Sequence, residues 1–371
     1  MTLSNPQATA IAATGSYAWT RGQVAVPFRS EPFADIVGRV KAGIAAKRLV
    51  IPDLDQFVGR AVAALLAGHV ILQGPPGTGK TTVARVLAEA FEANLEIVTA
   101  TSEWSTYDVI GGLQPSLGGG FAPTLGAASR AVLACAESVL ADTGVGIQAT
   151  WLLIDEFNRA DIDKAIGPLY TVLSSTAGVD LDRTPMDLWF ERGARRELWV
   201  PSRFRIIGTM NDVDTSFVNA LSQGLTRRFQ FISLPTEVGA ADDEVAAVFE
   251  QASERWLTER GVSVSGDYAN VRAALVGIVG HLRDPDRAAW PLGTAQVLDV
   301  WRAVLIHTDG TENGLHGLSE LDEAVAAIIV PQAANLSLAK LLSIRESLDA
   351  AGLPEAAMAV GHLENTSATH Y

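Results

Sequence analysis

Short apolar runs alternate with helical patterns through the first two thirds of the chain. Residues 81–93 show the helical spacing, with apolar side chains at Val83, Val86, Leu87 and Ala90. Buried strands that alternate with helices predict a mostly parallel sheet covered by helices on both faces. The runs with the length of buried strands are residues 69–73, 95–99, 151–154, 204–208 and 229–234.

The pattern changes after Pro235, where helical spacing dominates. We therefore predict an α/β domain over residues 31–235 and a small all-helical domain over residues 236–371. Residues 1–30 are rich in Ala, Thr, Ser and Gly without a clear period, which predicts a loose N-terminal arm. The glycine-rich residues 111–126 are expected to form a loop. The later helical segments are residues 242–259, 268–282, 295–307, 318–329 and 336–351.

Composition narrows the class of protein. Of the 371 residues, 48% are hydrophobic and 19% are charged, which excludes global disorder. A formal net charge of -14 argues against a broad nucleic-acid-binding surface, although a local basic loop stays open. The single cysteine, Cys135, lies in an apolar helical pattern and predicts a core residue in a reducing compartment. The N-terminus lacks a secretory signal pattern, and we expect a cytoplasmic protein without a membrane partner.

The strongest chemical signal is GPPGTGKT at residues 74–81, which fits G-x-x-x-x-G-K-[ST] between an apolar run and a helical pattern. Glycines let backbone N–H groups curl round a phosphate, and a helix N-terminus favours its negative charge. In such a loop Lys80 reaches the β- and γ-phosphates and Thr81 offers its hydroxyl to Mg²⁺. The predicted nucleotide-binding residues are Gly74, Pro75, Pro76, Gly77, Thr78, Gly79, Lys80, Thr81 and Thr82.

Two carboxylates follow the apolar residues 151–154. The end of a strand is where a doubly wound sheet binds its ligands. There Asp155 would hold Mg²⁺, directly or through water, while Glu156 would orient and deprotonate the attacking water. Taken alone, two adjacent acids are equally well explained as the solvated end of a strand. Beside a phosphate loop they favour an NTPase over a kinase, because an NTPase needs only a positioned water as the acceptor.

Polar residues also flank the next two apolar runs. Asn211 ends FRIIGTMN, where its amide could reach the γ-phosphate or the water, although an Asn in a turn needs no such role. Arg227 and Arg228 lie in LTRRF before the last run. They are either surface charges or arginines that reach a neighbouring subunit's γ-phosphate, a contribution worth about 10³–10⁵ in rate.

The order GPPGTGKT, WLLIDEFNRAD, FRIIGTMN, LTRRF resembles the AAA+ ATPases, whose Walker A, Walker B, sensor 1 and arginine-finger motifs it matches. DEFNRA at residues 155–160 and GTMNDVDTS at residues 208–216 resemble the MoxR/McrB-like (dynein-related, helix-2-insert) branch. The resemblance implies a P-loop doubly wound sheet with a helical lid. It also implies a ring, as a hexamer, with nucleotide at subunit interfaces and trans-acting roles for Arg227 or Arg228 and for Arg159.

The resemblance also implies two insertions. Trp104, Tyr107 and Phe121 flank the first, where they either face a ring channel or pack the loop onto its own domain. The second spans residues 177–201, with Trp189 and Trp199 as expected hairpin residues.

One departure from the AAA+ pattern concerns sensor 2. Residues 291–296 contain no Arg or Lys where many AAA+ proteins carry a basic residue. Either the contact there is polar, or Arg283 or Arg287 substitutes, or the contact is absent.

Three functions remain open. The first is an ATPase that remodels a protein or macromolecular partner. The second is a McrB-like motor subunit for a nuclease partner, with nucleic acid reached through that partner or a pore loop. The third is a nucleotide-gated scaffold with little turnover. The chain lacks a guanine-reading Asn-Lys-x-Asp element, which favours ATP and leaves GTP as the alternative.

Overall fold

The computed structural model describes residues 15–116, 119–211, 221–234, 241–310 and 317–368. These residues form two compact units. The first contains residues up to Gly43 together with Asp53–Gly74 and Lys80–Ser233. The second contains Ile44–Pro52, Pro75–Gly79 and the chain from Leu234 onwards. The expected boundary at residues 235–236 lies outside the described residues, as do residues 1–14 and the motif residues Asp214 and Ser216.

A parallel five-stranded sheet organises the first unit, with the order β2-β5-β8-β1-β9. Each of its strands overlaps one of the five apolar runs of the sequence, and β8 begins two residues after the start of its run. Two short antiparallel pairs, β3 with β4 and β6 with β7, lie outside this sheet. The described strands are β1 (His69–Gly74), β2 (Ala93–Thr99), β3 (Gly111–Pro115), β4 (Phe121–Leu125), β5 (Ala149–Asp155), β6 (Met186–Asp187), β7 (Glu197–Leu198), β8 (Ile206–Asn211) and β9 (Phe229–Ser233).

Flanking helices explain why these strands are continuously apolar. Val70, Ile71 and Leu72 of β1 are fully buried, and Val83 and Leu87 of the following helix are buried as well. Covered parallel strands need apolar side chains on both faces, so the α/β prediction is confirmed. The described helices that begin before residue 234 are Phe33–Ala46, Leu54–Ala67, Lys80–Ala90, Thr106–Val109, Ala127–Ala141, Ile162–Ile166, Gly178–Leu181 and Gln223–Thr226.

Helices also build the second unit around a core of its own, in which Leu275, Val300, Trp301 and Val304 are buried. Five of these helices match the predicted segments. The helix Pro354–Ala368 was not predicted, because its apolar positions are largely alanines that give a weak pattern. None of the helices in the described part of the chain is both long and apolar enough to cross a bilayer. The helices are Ala241–Arg260, Ala269–Arg283, Thr294–His307, Gly317–Ile328, Leu338–Ala350 and Pro354–Ala368.

The prediction of a loose arm through residue 30 is wrong for residues 15–30. A 3₁₀ helix spans Ala18–Gln23, and Thr20 and Val24 are buried in the first unit. The Ser202 hydroxyl donates to the Val26 carbonyl at 2.8 Å. Hydrogen bonds and ion pairs hold this segment in place of a periodic apolar face, so hydrophobic periodicity could not reveal it.

Asp142 anchors this N-terminal segment. Its carboxylate accepts from Arg29 Nε at 3.1 Å and from Arg203 Nη1 at 2.6 Å, and its side chain is only 8% exposed. Burial alone would raise the pKa of Asp142, but the hydrogen bonds from Arg29 and Arg203 hold that pKa well below its usual range. The carboxylate is therefore charged and paired at neutral pH.

Replacing Asp142 by Ala should lower the free energy of unfolding by about 3–5 kcal/mol at neutral pH, because two arginines lose their buried partner. The folded-state pKa is depressed, so this stabilisation is present above the ordinary value of 3.8 and disappears as pH falls through the folded-state pKa. Urea denaturation of both proteins measures the effect. Asp187→Ala, which breaks an exposed pair with Arg196, is the control and should change little. Equal losses in the two variants would contradict the assignment.

Each of the two predicted insertions contains an antiparallel strand pair. In the first, Gly111–Pro115 and Phe121–Leu125 form β3 and β4 where a loop was expected, because antiparallel pairing needs no apolar alternation here. Phe121 is 70% exposed, whereas the Tyr107 ring packs so closely on Gly112 that a Cβ there would lie 2.6 Å from it. In the second insertion Trp189 is exposed and Trp199 is buried, and both lie just beyond the paired residues of β6 and β7.

Candidate functional site

The carboxyl ends of three neighbouring strands meet at one edge of the sheet. Gly74 at the end of β1 lies opposite Asn211 at the end of β8. Ile154 of β5 lies opposite Gly208 of β8, which brings the following Asp155 to the same edge. Ligands of open α/β sheets bind beyond the carboxyl ends of the strands, so the fold places the predicted site residues where such a ligand binds.

Lys80 and Thr81 begin the helix after β1, beside Asp155. The buried Lys80 ammonium donates to the Gly74 carbonyl at 2.9 Å. The Thr81 hydroxyl donates to the two Asp155 carboxylate oxygens at 3.1 and 3.2 Å, across 74 positions of sequence. Thr82 follows on the same helix and is partly buried. The hydroxyl and carboxylate that the sequence proposed as metal ligands are therefore adjacent.

The donor atoms suit a magnesium ion. Thr81 Oγ1 and the Asp155 carboxylate are hard oxygen ligands, and Mg²⁺ is usually held by one or two carboxylates together with substrate phosphates and water. These two residues would hold Mg²⁺, while the remaining ligands would come from the substrate and solvent.

Glu156 occupies an unusual backbone conformation next to Asp155. Its φ of 57° and ψ of 39° lie in the left-handed region, which non-glycine residues rarely adopt and which often marks functional sites. Its carboxylate contacts Arg159 Nε at 2.9 Å and the Asn211 amide at 3.4 and 3.5 Å, long distances for hydrogen bonds. The structure thus brings Asn211 to the residue proposed as the base.

Thr209 is a site residue that the sequence analysis missed. The Thr209 hydroxyl accepts a hydrogen bond from the Glu156 backbone N–H at 3.2 Å, and its O–H donates to the Asp155 carboxylate. One hydroxyl therefore fixes both acids. The sequence did contain a signal for Thr209. Residues two positions apart on a strand share a face, and Thr209 precedes the predicted site residue Asn211 by two.

The loop residues Pro75–Gly79 belong to the second unit. Gly77 and Gly79 have φ values of 77° and 80°, which glycine adopts without strain. The Thr78 hydroxyl donates to the Pro75 carbonyl at 2.9 Å and closes the turn. These conformations explain why the loop needs glycine at both positions.

Residues 293–296 contact this loop within the second unit. The Ala295 N–H donates to the Gly77 carbonyl at 2.9 Å. A Cβ on Gly293 would lie 2.1 Å from the Pro76 carbonyl oxygen, and one on Gly77 would lie 2.4 Å from Gln296 Oε1. At the position of sensor 2, the Ala295 backbone N–H therefore makes the polar contact with the loop, and the Gln296 side chain packs beside Gly77.

Both arginines considered as substitutes for sensor 2 have partners within the second unit. Arg283 is buried and donates to both Glu244 carboxylate oxygens at 2.6 and 2.8 Å. Arg287 pairs with Asp284 at 3.3 Å and contacts His281. Gln296 is the polar side chain beside the loop, and its Nε2 donates to Gln332 Oε1 at 3.1 Å.

The two adjacent arginines differ in their surroundings: Arg228 is hydrogen-bonded within the first unit, and Arg227 is exposed. Arg228 Nε donates to the Tyr170 carbonyl at 2.6 Å, its Nη1 donates to the Gly224 carbonyl, and its guanidinium lies 4.6 Å from the Tyr170 ring centroid. Arg228 is therefore bound within its own unit, whereas the Arg227 side chain is exposed to solvent.

Two buried titratable groups lie outside this chemistry. Burial raises the pKa of the Cys135 thiol to about 12, so the thiol is inert, as a core residue should be. Burial, together with Arg205, lowers the pKa of His69 to about 3 and keeps its ring neutral. The neutral ring accepts a hydrogen bond from the Ile206 N–H at 3.0 Å and so links β1 to β8.

Comparison with known proteins agrees with this geometry. Residues 69–229 match the AAA domain of the dynein-related subfamily. The EcoKMcrB subunit of the Escherichia coli K12 type IV methyl-directed restriction enzyme is 30% identical over 171 residues, 45% of this chain and 35% of that subunit. The Mycobacterium tuberculosis chaperone MoxR1 is 25% identical over 219 residues, 58% of this chain and 49% of MoxR1.

A shorter match covers RuvB, a subunit of the Holliday junction branch migration complex from Synechococcus. It is 44% identical over 71 residues, 17% of this chain and 20% of RuvB. The chain thus spans less than half the length of each of these three relatives.

Proposed function

Residues 69–229 are an AAA domain of the dynein-related subfamily, similar to MoxR and McrB, and we propose that the chain hydrolyses ATP with Mg²⁺ at the interfaces of a ring. One observation carries this function. The Thr81 hydroxyl, the Asp155 carboxylate, Glu156 and Asn211 meet at the carboxyl edge of the sheet, beside the buried Lys80. Positioned water, a base and a cation are what phosphoryl transfer to water requires.

The chain's own residues divide the reaction between them. The Lys80 ammonium neutralises charge on the β- and γ-phosphates, and Thr81 and Asp155 would hold the metal. Mg²⁺ bound there would supply positive charge to the phosphate oxygens. Glu156 takes a proton from the attacking water as the water's oxygen bonds to the γ-phosphorus. The bond from that phosphorus to the β-phosphate oxygen breaks, and ADP and phosphate leave.

A ring explains the exposed arginine. The Arg227 side chain is exposed and can reach a neighbouring subunit, whereas Arg228 is held by Tyr170 and Gly224. In a closed ring, a hexamer by family resemblance, each nucleotide would lie between one subunit's Lys80 and the next subunit's Arg227. We propose that the resulting motion remodels a protein or macromolecular partner. We also propose a cytoplasmic location, because the free buried thiol of Cys135 suits a reducing compartment.

A second function is favoured by the similarity to the restriction-enzyme subunit. In that case the chain is an NTPase motor, with GTP as a possible substrate, for a separate nuclease. The net charge of -14 leaves nucleic-acid contact to the partner or to a pore loop. A scaffold with little turnover is the third candidate, because Gln296 stands where a basic sensor 2 residue is common.

ATP and GTP hydrolysis by the 371-residue chain distinguishes the three candidate functions. Phosphate release from ATP and from GTP is measured with Mg²⁺ over a range of chain concentrations, alongside the oligomer mass by sedimentation. Shared sites predict a rate per chain that rises with assembly, and a rate independent of concentration would contradict them. Hydrolysis of GTP alone would favour the second function, and binding without turnover would favour the scaffold.

A further inference from the structure

A partly buried hydrogen-bond centre lies after Asp155 and Glu156 in the sequence, on the short helix Ile162–Ile166. The Asp163 carboxylate accepts the Tyr170 hydroxyl and the Ser222 hydroxyl at one oxygen. Its other oxygen accepts the Ser222 backbone N–H at 2.9 Å. Three donors from two separate segments therefore converge on one side chain.

Both segments lead directly to the arginine pair. Ser222 caps the helix Gln223–Thr226, and its hydroxyl oxygen accepts the Leu225 N–H at 3.1 Å. Arg227 is the residue that ends this helix. Tyr170 contacts Arg228 through its carbonyl and its ring. Both residues that donate to Asp163 therefore belong to, or contact, the segment that carries the arginine pair.

The Tyr170 ring lies beside the helix Gln223–Thr226. A Cβ on Gly224 would lie 3.5 Å from that ring, an ordinary van der Waals distance. A helix of four residues has no stability of its own, because helix nucleation is unfavourable. The position of Gln223–Thr226 therefore depends on these tertiary contacts.

The ionisation of Asp163 suits this role. Burial alone would raise its pKa, but the hydrogen bonds from Ser222 and Tyr170 keep the pKa below its usual range. The group is thus a carboxylate at neutral pH, which can accept several donors at once.

We propose that Asp163 is a positioning residue for Arg227: by binding Tyr170 and Ser222 it fixes the segment that presents the arginine to a neighbouring subunit. This inference rests on the proposed function. Asp163 follows the acids of its own subunit's site in the sequence. Through Arg227 it would act on the site of the neighbouring subunit. A displacement of about 1 Å can cost about 100-fold in rate, so a small shift of the segment has a large effect.

Asp163→Ala should lower ATP turnover about 100-fold while ATP affinity stays within about twofold, because its own phosphate loop is intact. Tyr170→Phe is the milder second variant, since it removes one hydroxyl and keeps the ring beneath Arg228. Thr226→Ala is the matched control, because that hydroxyl donates only within its own helix, to the Gln223 carbonyl. Thermal unfolding and ATP binding establish that each variant is folded.

Mixed oligomers separate positioning from a general defect. A Glu156→Gln subunit cannot hydrolyse but still offers Arg227, so mixing it with Asp163→Ala or Tyr170→Phe should restore turnover well above that of either protein alone. Mixing either variant with Arg227→Ala should restore nothing, because both members lack a working arginine.

Two outcomes would overturn the inference. Recovery of Arg227→Ala by Glu156→Gln without recovery of the Asp163 and Tyr170 variants would show that Asp163 does not act through Arg227. Unchanged turnover in both variants would do the same. If Arg227→Ala itself is not rescued, the trans-acting arginine of the proposed function fails first, and the inference falls with it.

Discussion

Glu156→Gln should lower ATP turnover by about 10²–10⁴-fold while Mg²⁺-dependent ATP binding stays within about twofold of wild type. The amide keeps the size of the side chain and its contact with Asn211 but cannot take the proton of the attacking water. The metal and phosphate residues Thr81, Asp155 and Lys80 are untouched, so binding should persist. Phosphate release and nucleotide titration on the same preparation measure the two effects separately.

The control for this change is Glu197→Gln, which alters an exposed acid on β7 in the same unit. It should leave both turnover and affinity unchanged. If Glu156→Gln turned over ATP as fast as Glu197→Gln, Glu156 would not be the base, and the left-handed conformation at this residue would need another explanation.

Arg227→Ala should lower turnover by about 10³–10⁵-fold with little change in ATP affinity, because an arginine from a neighbouring subunit stabilises charge that develops only during transfer. Mixing it with Lys80→Ala, which binds ATP poorly but keeps its arginines, should restore part of the activity. Turnover of the mixture against each protein alone is the measurement, and no recovery at any ratio would argue against action between subunits.

Arg228→Ala is the natural comparison for Arg227→Ala. It removes the hydrogen bonds to Tyr170 and Gly224 and the stacking on the Tyr170 ring. It should therefore lower activity together with the thermal stability of the first unit, whereas Arg227→Ala should leave the stability unchanged. Equal stability of both variants would contradict the distinct roles that the geometry gives them.

The sheet and the phosphate loop could be predicted from sequence because their physics is local. A parallel strand covered on both faces must be a continuous apolar run, as β1 and β5 are. The loop needs glycine where φ is positive, at Gly77 and Gly79. The meeting of Thr81 with Asp155 follows from the rule that carboxyl ends of parallel strands share an edge.

Features that depend on tertiary contacts were missed. The segment at residues 15–30 is held by ion pairs, β6 and β7 pair over two residues each, and neither leaves a periodic pattern. Thr209 and Asp163 act through partners distant in sequence. The difference between Arg227 and Arg228 lies in the direction of two adjacent side chains, which sequence does not encode locally.

The most direct test of the central claim is a titration of the purified chain with ATP and GTP, with Mg²⁺ and with the metal chelated, beside Lys80→Ala. Saturable binding that requires Mg²⁺ and is lost in Lys80→Ala is the result we expect, because Lys80, Thr81 and Asp155 form one site. Absence of Mg²⁺-dependent affinity for either nucleotide would contradict the account at its base.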